Sequence, residues 1–259
     1  MLIDTHCHIF FPEYDADREE TIARAVEASV EKMIVVGTDL PSSEKAIALS
    51  EQYPFIFAAV GLHPHEAKVM NDALLLELER LSAHPKVVAI GETGLDFYYN
   101  KSEVAVQRQA FSMQVALAKK RRLPLVIHIR DAWDVAFEIL EQQDPNYFKE
   151  VGSVFHCFTG DKAIASRATA MGLYVSFSGI VTFPKTDALQ QAAASVDARY
   201  VLVETDAPFL APQGFRGKRN EPCFIVTTAE KIAALRNCSK EELAEITTAN
   251  ANRLFRLPL

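Results

Sequence analysis

Two histidines stand two residues apart near the start of the chain, in the stretch "LIDTHCH". In an extended strand, side chains two residues apart point to the same face, whereas in a helix they diverge by about half a turn. If this apolar stretch is a strand, His6 and His8 aim two nitrogen donors at one point. Imidazole nitrogen is a common metal ligand, so the pair indicates a metal site. Asp4 shares the same face but lies deeper, and we expect it to support the ligands.

More histidines and acids stand at the ends of short apolar runs further along the chain. Each taken singly has an ordinary explanation, as a core or surface histidine or as a helix cap. Four histidines and two carboxylates at equivalent places, however, predict a shared metal centre. These six residues are His6, His8, Glu92, His128, His156 and Asp206.

The elements that must position these residues are eight β-rich runs separated by helical patterns. The runs are "LIDTHCH", "KMIVVGT", "FIFAAVGLH", "VVAIGE", "PLVIHIR", "SVFHCF", "LYVSFSG" and "VLVETD". Strands that alternate with helices pair in parallel, and eight such units in about 250 residues predict a (β/α)8 TIM barrel. In that fold the active site forms at the carboxyl ends of the strands. A doubly wound open sheet is the alternative, but its glycine-rich first turn is missing.

Two helix starts carry capping signals. Asp17 followed by Glu20 resembles a capping pair, and Ser239 followed by Glu242 has the pattern of a capping box. We therefore expect helices to begin directly after Asp17 and Ser239.

Length and composition limit the classes of protein that remain. The 259 residues carry a net charge of -7, which excludes a globally basic coat for nucleic acid. Without a linker or a low-complexity tract, one domain over residues 1–259 is the economical interpretation. The chain lacks a signal-peptide pattern, an apolar run of about 18 residues and a disulfide-like cysteine spacing. We expect a reduced, cytoplasmic protein with neither a membrane nor an obligatory protein partner.

The number of candidate ligands indicates two ions. One catalytic zinc typically uses three protein donors and water, whereas two ions about 3.5–4 Å apart that share a carboxylate would use all six. Glu92, in the middle of the set, is the expected bridging ligand, and Asp206 is expected to accept a proton from the attacking water. Imidazole and carboxylate suit Zn, Mn, Co, Ni or Fe, and Mg less obviously.

The order of the motifs resembles that of the TatD family of metal-dependent hydrolases, over essentially the whole chain. The motifs are "IDTHCH", "GLHPH", "AIGETGLDF", "PLVIHIRDA", "HCFTG", "VETDAPFLAP" and "GKRNEP". The resemblance implies an amidohydrolase-like TIM barrel with two divalent cations, often described as a deoxyribonuclease. It also implies two ligand sets that share Glu92: one is His6, His8, Glu92 and Asp206, and the other is Glu92, His128 and His156.

A local excess of basic residues indicates phosphate binding. Arg216, Lys218 and Arg219 lie in "GFRGKRNEP", a stretch with one acid that follows Asp206 closely. An ordinary solvated loop would have a similar composition. On a chain of net charge -7, we nevertheless expect these three side chains to contact substrate phosphate.

Further substrate contacts are expected from other strand ends. Arg130 lies two residues after His128, on the same strand face, and can also reach a phosphate. His63 and His65 are candidates to donate to a phosphate oxygen or to the leaving group, and the family pattern supports His63 most strongly. The aromatic run Phe97–Tyr99 could stack on unpaired bases, but rim aromatics more often pack against neighbouring loops, and we favour that packing here.

A two-metal site hydrolyses phosphodiesters, but equally amides or lactones. Amidohydrolase-type enzymes often bridge their metals with a carboxylated lysine, and here no predicted strand ends in lysine, while Glu92 fills that place. A non-enzymatic binding protein would be expected to have lost ligands. We therefore predict hydrolysis of DNA from a single-stranded end by a two-metal-activated hydroxide. Asp206 and Glu92 are the predicted catalytic residues. The alternative is an amidohydrolase-type reaction on a cyclic amide, lactone or other small ester.

Overall fold

The computed structural model describes residues 1–258, without the side chain of Pro145. Eight strands, each overlapping one of the predicted runs, form one sheet in chain order from β1 to β8. They are Leu2–Cys7 (β1), Val30–Val36 (β2), Ile56–Val60 (β3), Val87–Asp96 (β4), Leu125–Arg130 (β5), Val154–Phe155 (β6), Tyr174–Phe177 (β7) and Val201–Val203 (β8).

Helices follow the strands. They are Arg18–Glu27 (α1), Leu40–Gln52 (α2), Asp72–Leu81 (α3), Val104–Arg121 (α4), Trp133–Glu141 (α5), Pro145–Val151 (α6), Lys162–Ala170 (α7), Asp187–Ser195 (α8), Ile225–Arg236 (α9) and Lys240–Phe255 (α10). Short 3-10 turns occupy Pro12–Tyr14, Pro64–Val69, Gly179–Thr182, Ala198–Tyr200 and Pro222–Phe224. None of the helices in residues 1–258 is both long and apolar enough to cross a membrane.

The first and last strands are also connected, because Cys7 in β1 forms a parallel bridge with Ala207, just after β8. Parallel strands in chain order, each β-strand alternating with helices and the last meeting the first, make a (β/α)8 barrel. The predicted TIM barrel is therefore confirmed.

The chain divides into two compact units. The first contains Met1–Val35, His156–Ala170 and the chain from Tyr174 onward, and the second contains Val36–Phe155 and Met171–Leu173. The single domain over residues 1–259 stays a prediction, and its last residue, Leu259, lies outside the described residues.

In the first unit, β1 pairs with β2 and β7 pairs with β8, both in parallel. All six residues of β1 are buried, as expected for a strand covered on both faces. Helix α10 begins with the predicted capping box of Ser239 and Glu242. It also anchors the start of β8, because the Asn250 side chain donates to the carbonyls of Ala198 (2.7 Å) and Val201 (2.9 Å).

Helix α1 begins after Asp17 as predicted, but the carboxylate of Asp17 makes no capping hydrogen bond. It accepts instead from both terminal nitrogens of Arg219, each at 2.7 Å. The bidentate pair with the guanidinium adds a second charge and a fixed geometry that a backbone N–H does not offer, and the capping bond predicted for Asp17 is absent.

In the second unit, β3 to β6 pair in parallel, and α4 fixes two of the segments that follow them. Gln114 accepts from the N–H of Leu62 (2.8 Å) and donates to its carbonyl (2.9 Å). Gln107 makes the same pair of bonds with Asp96, at 2.8 and 3.0 Å. Both glutamines are fully buried, so α4 holds the backbone next to His63 and at the end of β4.

The strands end at different places from those predicted. β4 continues four residues beyond Glu92 to Asp96, whereas β8 ends at Val203, three residues before Asp206. Asp206 has left-handed backbone (φ 57°), which is incompatible with a strand. The chemically active side chains therefore lie partly on strands and partly on the turns directly after them.

Candidate metal centre

The first unit brings His6, His8 and Asp206 together. The Nε2 atoms of the two histidines are 3.1 Å apart, which confirms that both side chains point the same way. Asp206 Oδ1 lies 3.6 Å from His6 Nε2 and 3.5 Å from His8 Nε2. His156 joins them, with its ring stacked on that of His6 at 3.9 Å between centroids. We call these four residues the first cluster.

The spacing of these atoms fits a divalent cation. Donors 2.0–2.2 Å from one ion, at angles between octahedral and tetrahedral values, are separated by roughly 2.8–3.6 Å. The three separations among His6, His8 and Asp206 fall within this range. His6, His156 and Asp206 also offer three ligand atoms within 4.8 Å of one another. Neutral imidazole with ionised carboxylate is a donor set typical of zinc, manganese, cobalt or nickel.

Backbone hydrogen bonds hold Asp206 against β1. Its N–H donates to the carbonyl of His6 (2.9 Å), and the N–H of His8 donates to Ala207 (2.7 Å). Asp206 also begins a turn, because its carbonyl accepts from the N–H of Phe209 at 2.9 Å. Strand alternation places the two histidines, and these bonds bring the carboxylate to them.

Asn220 fixes this turn from outside. It is fully buried, and its Nδ2 donates to the carbonyls of Thr205 (2.8 Å) and Phe209 (2.6 Å), on either side of Asp206. The hydroxyl of Tyr14 donates in turn to the Asn220 carbonyl at 2.6 Å. Sequence reasoning missed Asn220, which has no spacing signal.

Two further acids support the first cluster without joining it. Asp4 accepts from the N–H (3.0 Å) and the hydroxyl (2.6 Å) of Thr205 and from the N–H of His6 (3.3 Å), so it supports the ligands as expected. Burial raises its pKa to about 7. Glu204, which sequence reasoning missed, accepts from the N–H of Cys157 (2.6 Å) and lies 3.4 Å from His156 Nδ1. A carboxylate beside the second nitrogen of a ligand histidine orients the ring.

Glu204 leaves one buried acceptor atom beside the first cluster without a hydrogen bond from the described residues. Its Oε2 is buried and has no hydrogen-bond partner among residues 1–258. The signal that could have revealed it is its place two residues before Asp206, on the same face of an extended chain. Burial raises the pKa of Asp206, but the hydrogen bond with His8 and the electrostatic interactions with His6, His156 and His8 outweigh it and leave the pKa below its usual value. Asp206 is thus ionised at neutral pH.

The second unit brings together His63, Glu92 and His128, which we call the second cluster. Glu92 Oε1 lies 3.2 Å from His63 Nε2 and 3.2 Å from His128 Nδ1. These separations also fit donors around one cation. Burial is the main cause that lowers the pKa of His63 to about 4, so its imidazole is neutral at pH 7 and its nitrogen can bind a metal.

Asp96 organises the second cluster and was missed by sequence reasoning. Its Oδ2 accepts from His128 Nε2 (3.2 Å) and His65 Nε2 (2.9 Å), and its Oδ1 accepts from the N–H of Tyr99 (2.8 Å). Burial opposes its ionisation, yet the hydrogen bonds from His128, Tyr99 and His65 hold its pKa well below the usual range. Its position four residues after Glu92, in "GETGLD", was the available signal.

Each cluster brings together some of the predicted residues within its own unit. His63, expected at the substrate, lies among ligand-type side chains with Glu92 and His128. His65 contacts Asp96 and does not reach Glu92 through any described bond. His156 stacks on His6 in the first cluster, and its grouping with Glu92 and His128 stays a prediction.

Three of the predicted phosphate-binding cations have no carboxylate partner among residues 1–258, and each lies over an aromatic ring. Arg130 lies 4.6 Å from the Tyr98 centroid, Arg216 4.5 Å from that of Phe183, and Lys218 5.9 Å from that of Phe215. Their charges are available to an anion.

Arg219 differs, because two carboxylates neutralise it. Besides Asp17, it contacts Glu221 at 3.1 Å, and its guanidinium lies 4.4 Å from the ring centroid of Tyr14. Arg24 binds the other side of Glu221 at 2.7 Å. Arg219 therefore ties the basic loop to α1, which argues against the phosphate contact predicted for it.

Comparison with known proteins places these features in context. A family model described as "TatD related DNase" matches residues 3–256. The "Uncharacterized metal-dependent hydrolase YabD" of Bacillus subtilis is 45% identical over 99% of this chain and 100% of its own length. The "3'-5' ssDNA/RNA exonuclease TatD" of Cronobacter sakazakii is 38% identical over 98% of this chain and 97% of its own length.

Solved structures agree. The crystal structure of YJJV, a TatD homolog from Escherichia coli K12, has a TM-score of 0.92 at 32% identity, over 99% of this chain and 98% of that one. An uncharacterized amidohydrolase from Saccharomyces cerevisiae has a TM-score of 0.87 at 18% identity, over 98% of this chain and 99% of that one. The second likeness shows the amidohydrolase-like fold alone.

Replacement of Asn220 by alanine should loosen the turn that carries Asp206. Two buried carbonyls lose their donors, so we expect a loss of about 2–3 kcal/mol in the free energy of unfolding, measured by urea denaturation. We also expect the affinity of the first cluster for metal to fall about 10- to 100-fold, measured by metal titration.

Asn250→Ala is the matched control, because Asn250 is equally buried and also serves two carbonyls, at the opposite end of β8. It should lower stability by a similar amount and leave metal affinity unchanged. Equal metal affinities in the two variants would contradict the positioning role of Asn220.

Proposed function

The chain belongs to the TatD-related DNase family, and from this premise we propose that it is a metal-dependent exonuclease acting on single-stranded DNA ends. The observation that carries the proposal is the convergence of imidazole nitrogens and ionised carboxylates at separations that suit divalent cations. A relative that is 38% identical is named a 3'-5' ssDNA/RNA exonuclease. We keep a cytoplasmic location as part of the proposal.

We propose that the first cluster holds one ion and the second cluster holds another, of Zn, Mn, Mg, Co or Ni. Two bound cations would lower the pKa of water and neutralise charge on a phosphoryl group. Glu92 as a ligand of both ions stays a prediction. Without bound cations, several carboxylates would be buried with no charge to neutralise them. Burial of such unneutralised carboxylates is energetically unfavourable.

Asp206 acts as the proton acceptor in the proposed reaction. Its Oδ1 faces the two imidazoles, which leaves its second oxygen for the proton of the attacking water. Water oxygen attacks phosphorus, the P–O bond to the neighbouring nucleotide breaks, the proton lost by water goes to Asp206, and the leaving oxygen takes a proton from solvent water. The lowered pKa of Asp206 keeps this carboxylate ionised before the attack.

Arg216, Lys218 and Arg130 bind phosphate in the proposed complex. Each has a charge without a carboxylate partner among residues 1–258, so none must break an ion pair to bind an anion. Arg219 instead holds the loop that carries Arg216 and Lys218.

The amide of Asp206→Asn cannot accept the proton, so exonuclease activity should fall at least about 100-fold. The assay incubates metal-loaded protein with end-labelled single-stranded oligonucleotides and follows release of nucleotides on gels. Asp187→Asn, an exposed acid at the start of α8, should retain full activity. Equal cleavage by wild type and Asp206→Asn, or cleavage by neither, contradicts the proposal.

Removal of Glu92 tests the number and sharing of ions. Wild type should hold two ions per chain, and Glu92→Gln should hold none if Glu92 binds both. Inductively coupled plasma analysis of dialysed protein gives the count, with Glu66→Gln, a half-buried acid that pairs with Lys68, as the control. One ion fully retained in Glu92→Gln contradicts the bridging role.

The double variant Arg216→Ala/Lys218→Ala should weaken substrate binding through lost charge. We expect kcat/KM on single-stranded DNA to fall about tenfold or more. The slope of log kcat/KM against log salt should become shallower by about 1.4, because each phosphate contact on a single strand contributes about 0.7.

Arg219→Ala separates charge from loop anchoring. It should lower the unfolding midpoint while leaving the salt slope unchanged, because Asp17 and Glu221 already neutralise its charge. The opposite result, a shallower salt slope in Arg219→Ala and an unchanged slope in Arg216→Ala/Lys218→Ala, would contradict the roles proposed for these cations.

A further inference from the structure

Two neighbouring tyrosines stand out from the surface directly after β4. Tyr98 is 58% exposed and Tyr99 is 57% exposed, with their rings nearly perpendicular and 4.9 Å apart. The expected packing against neighbouring loops is only partial for this pair, because Tyr99 contacts His65 while more than half of each ring residue stays exposed. Adjacent exposed aromatic rings offer π faces and apolar surface on which a flat ligand can stack.

Arg130 makes this pair suitable for a nucleotide. Its guanidinium lies 4.6 Å from the Tyr98 centroid and 5.9 Å from that of Tyr99. The carbonyl of Arg130 accepts from the N–H of Phe97 at 2.9 Å, so strand β5 and the tyrosine segment are fixed to each other. With no carboxylate partner among residues 1–258, the guanidinium can bind a phosphate while it remains beside the rings.

The tyrosine pair is also connected to the second cluster. The N–H of Tyr99 donates to Asp96, and the Tyr99 ring lies 5.6 Å from that of His65. The His65 ring lies 4.4 Å from that of His63, whose Nε2 contacts Glu92. A base on the tyrosines would therefore belong to a nucleotide close to the one being hydrolysed.

We infer that Tyr98, Tyr99 and Arg130 form a stacking platform for one unpaired nucleobase and its phosphate. The inference rests on the proposed function for the identity of the substrate. A base stacks on exposed tyrosine whatever its sequence, because every base has a π face. In a duplex both faces of an internal base are covered by its neighbours, so the platform favours single strands.

The test is a mutant cycle between the tyrosines and the base. Oligonucleotides carry one abasic tetrahydrofuran residue at each of the first four positions from either end, and kcat/KM is measured for each. With wild type, an abasic residue at one position should lower kcat/KM roughly 5- to 100-fold. Tyr98→Leu/Tyr99→Leu should show the same loss on the intact oligonucleotide and no further loss on the abasic one.

Tyr98→Phe/Tyr99→Phe is the matched control, because it keeps both rings and removes only the hydroxyls. It should discriminate against the abasic residue as wild type does. An abasic penalty of equal size in the leucine and wild-type proteins, or no penalty at any position in wild type, overturns the platform.

A binding measurement that needs no cleavage distinguishes failure of the stacking platform from failure of the proposed exonuclease function. Binding of an oligonucleotide that contains 2-aminopurine to metal-loaded Asp206→Asn protein should quench its fluorescence through stacking, and the added leucine pair should abolish the quenching. If wild type cleaves no oligonucleotide, the exonuclease proposal fails, while quenching that depends on the tyrosines still supports the platform. Quenching that persists with the leucine pair, or none with the tyrosines, overturns it.

Discussion

The first cluster depends on one backbone hydrogen bond, from the N–H of Asp206 to the carbonyl of His6. It fixes the start of the chain to a residue 200 positions later, at the place where the barrel closes. The left-handed backbone of Asp206 directs its carboxylate toward the histidines, and Asn220 and Asp4 hold the residues around it. The ligand separations follow from this arrangement of main chain more than from any contact between the side chains themselves.

Charge balance is the second constraint. Asp206 and Glu204 are buried in the first unit, and Glu92 and Asp96 are buried in the second. Asp206, Glu204 and Asp96 have imidazoles and backbone N–H groups as their partners, and no lysine or arginine among residues 1–258 pairs with these three. Buried anions without cations are strongly unfavourable. A divalent cation in each cluster would supply the missing positive charge, so the same ions that serve the proposed chemistry would also stabilise the folded protein.

Much of this arrangement could be predicted from the sequence, because strand alternation and strand order are local properties. They identified the eight strands, the shared direction of His6 and His8, and the ends where the ligands collect. Contacts set by tertiary structure could not be predicted in the same way. Asp17 has the sequence of a helix cap, yet Arg219 takes its carboxylate, and Asp96 resembles any acid after a strand until its histidine partners are seen.

The two glutamines of α4 give the fold a property that bears on its tolerance of change. Gln107 and Gln114 are seven residues apart, close to two helical turns, so both reach toward the sheet from one side of the helix. One inserted or deleted residue between them would rotate one glutamine by about 100° away from its backbone partners. The helix therefore fixes the distance between two strand ends, and we expect insertions and deletions to be tolerated in the loops outside this interval and not within it.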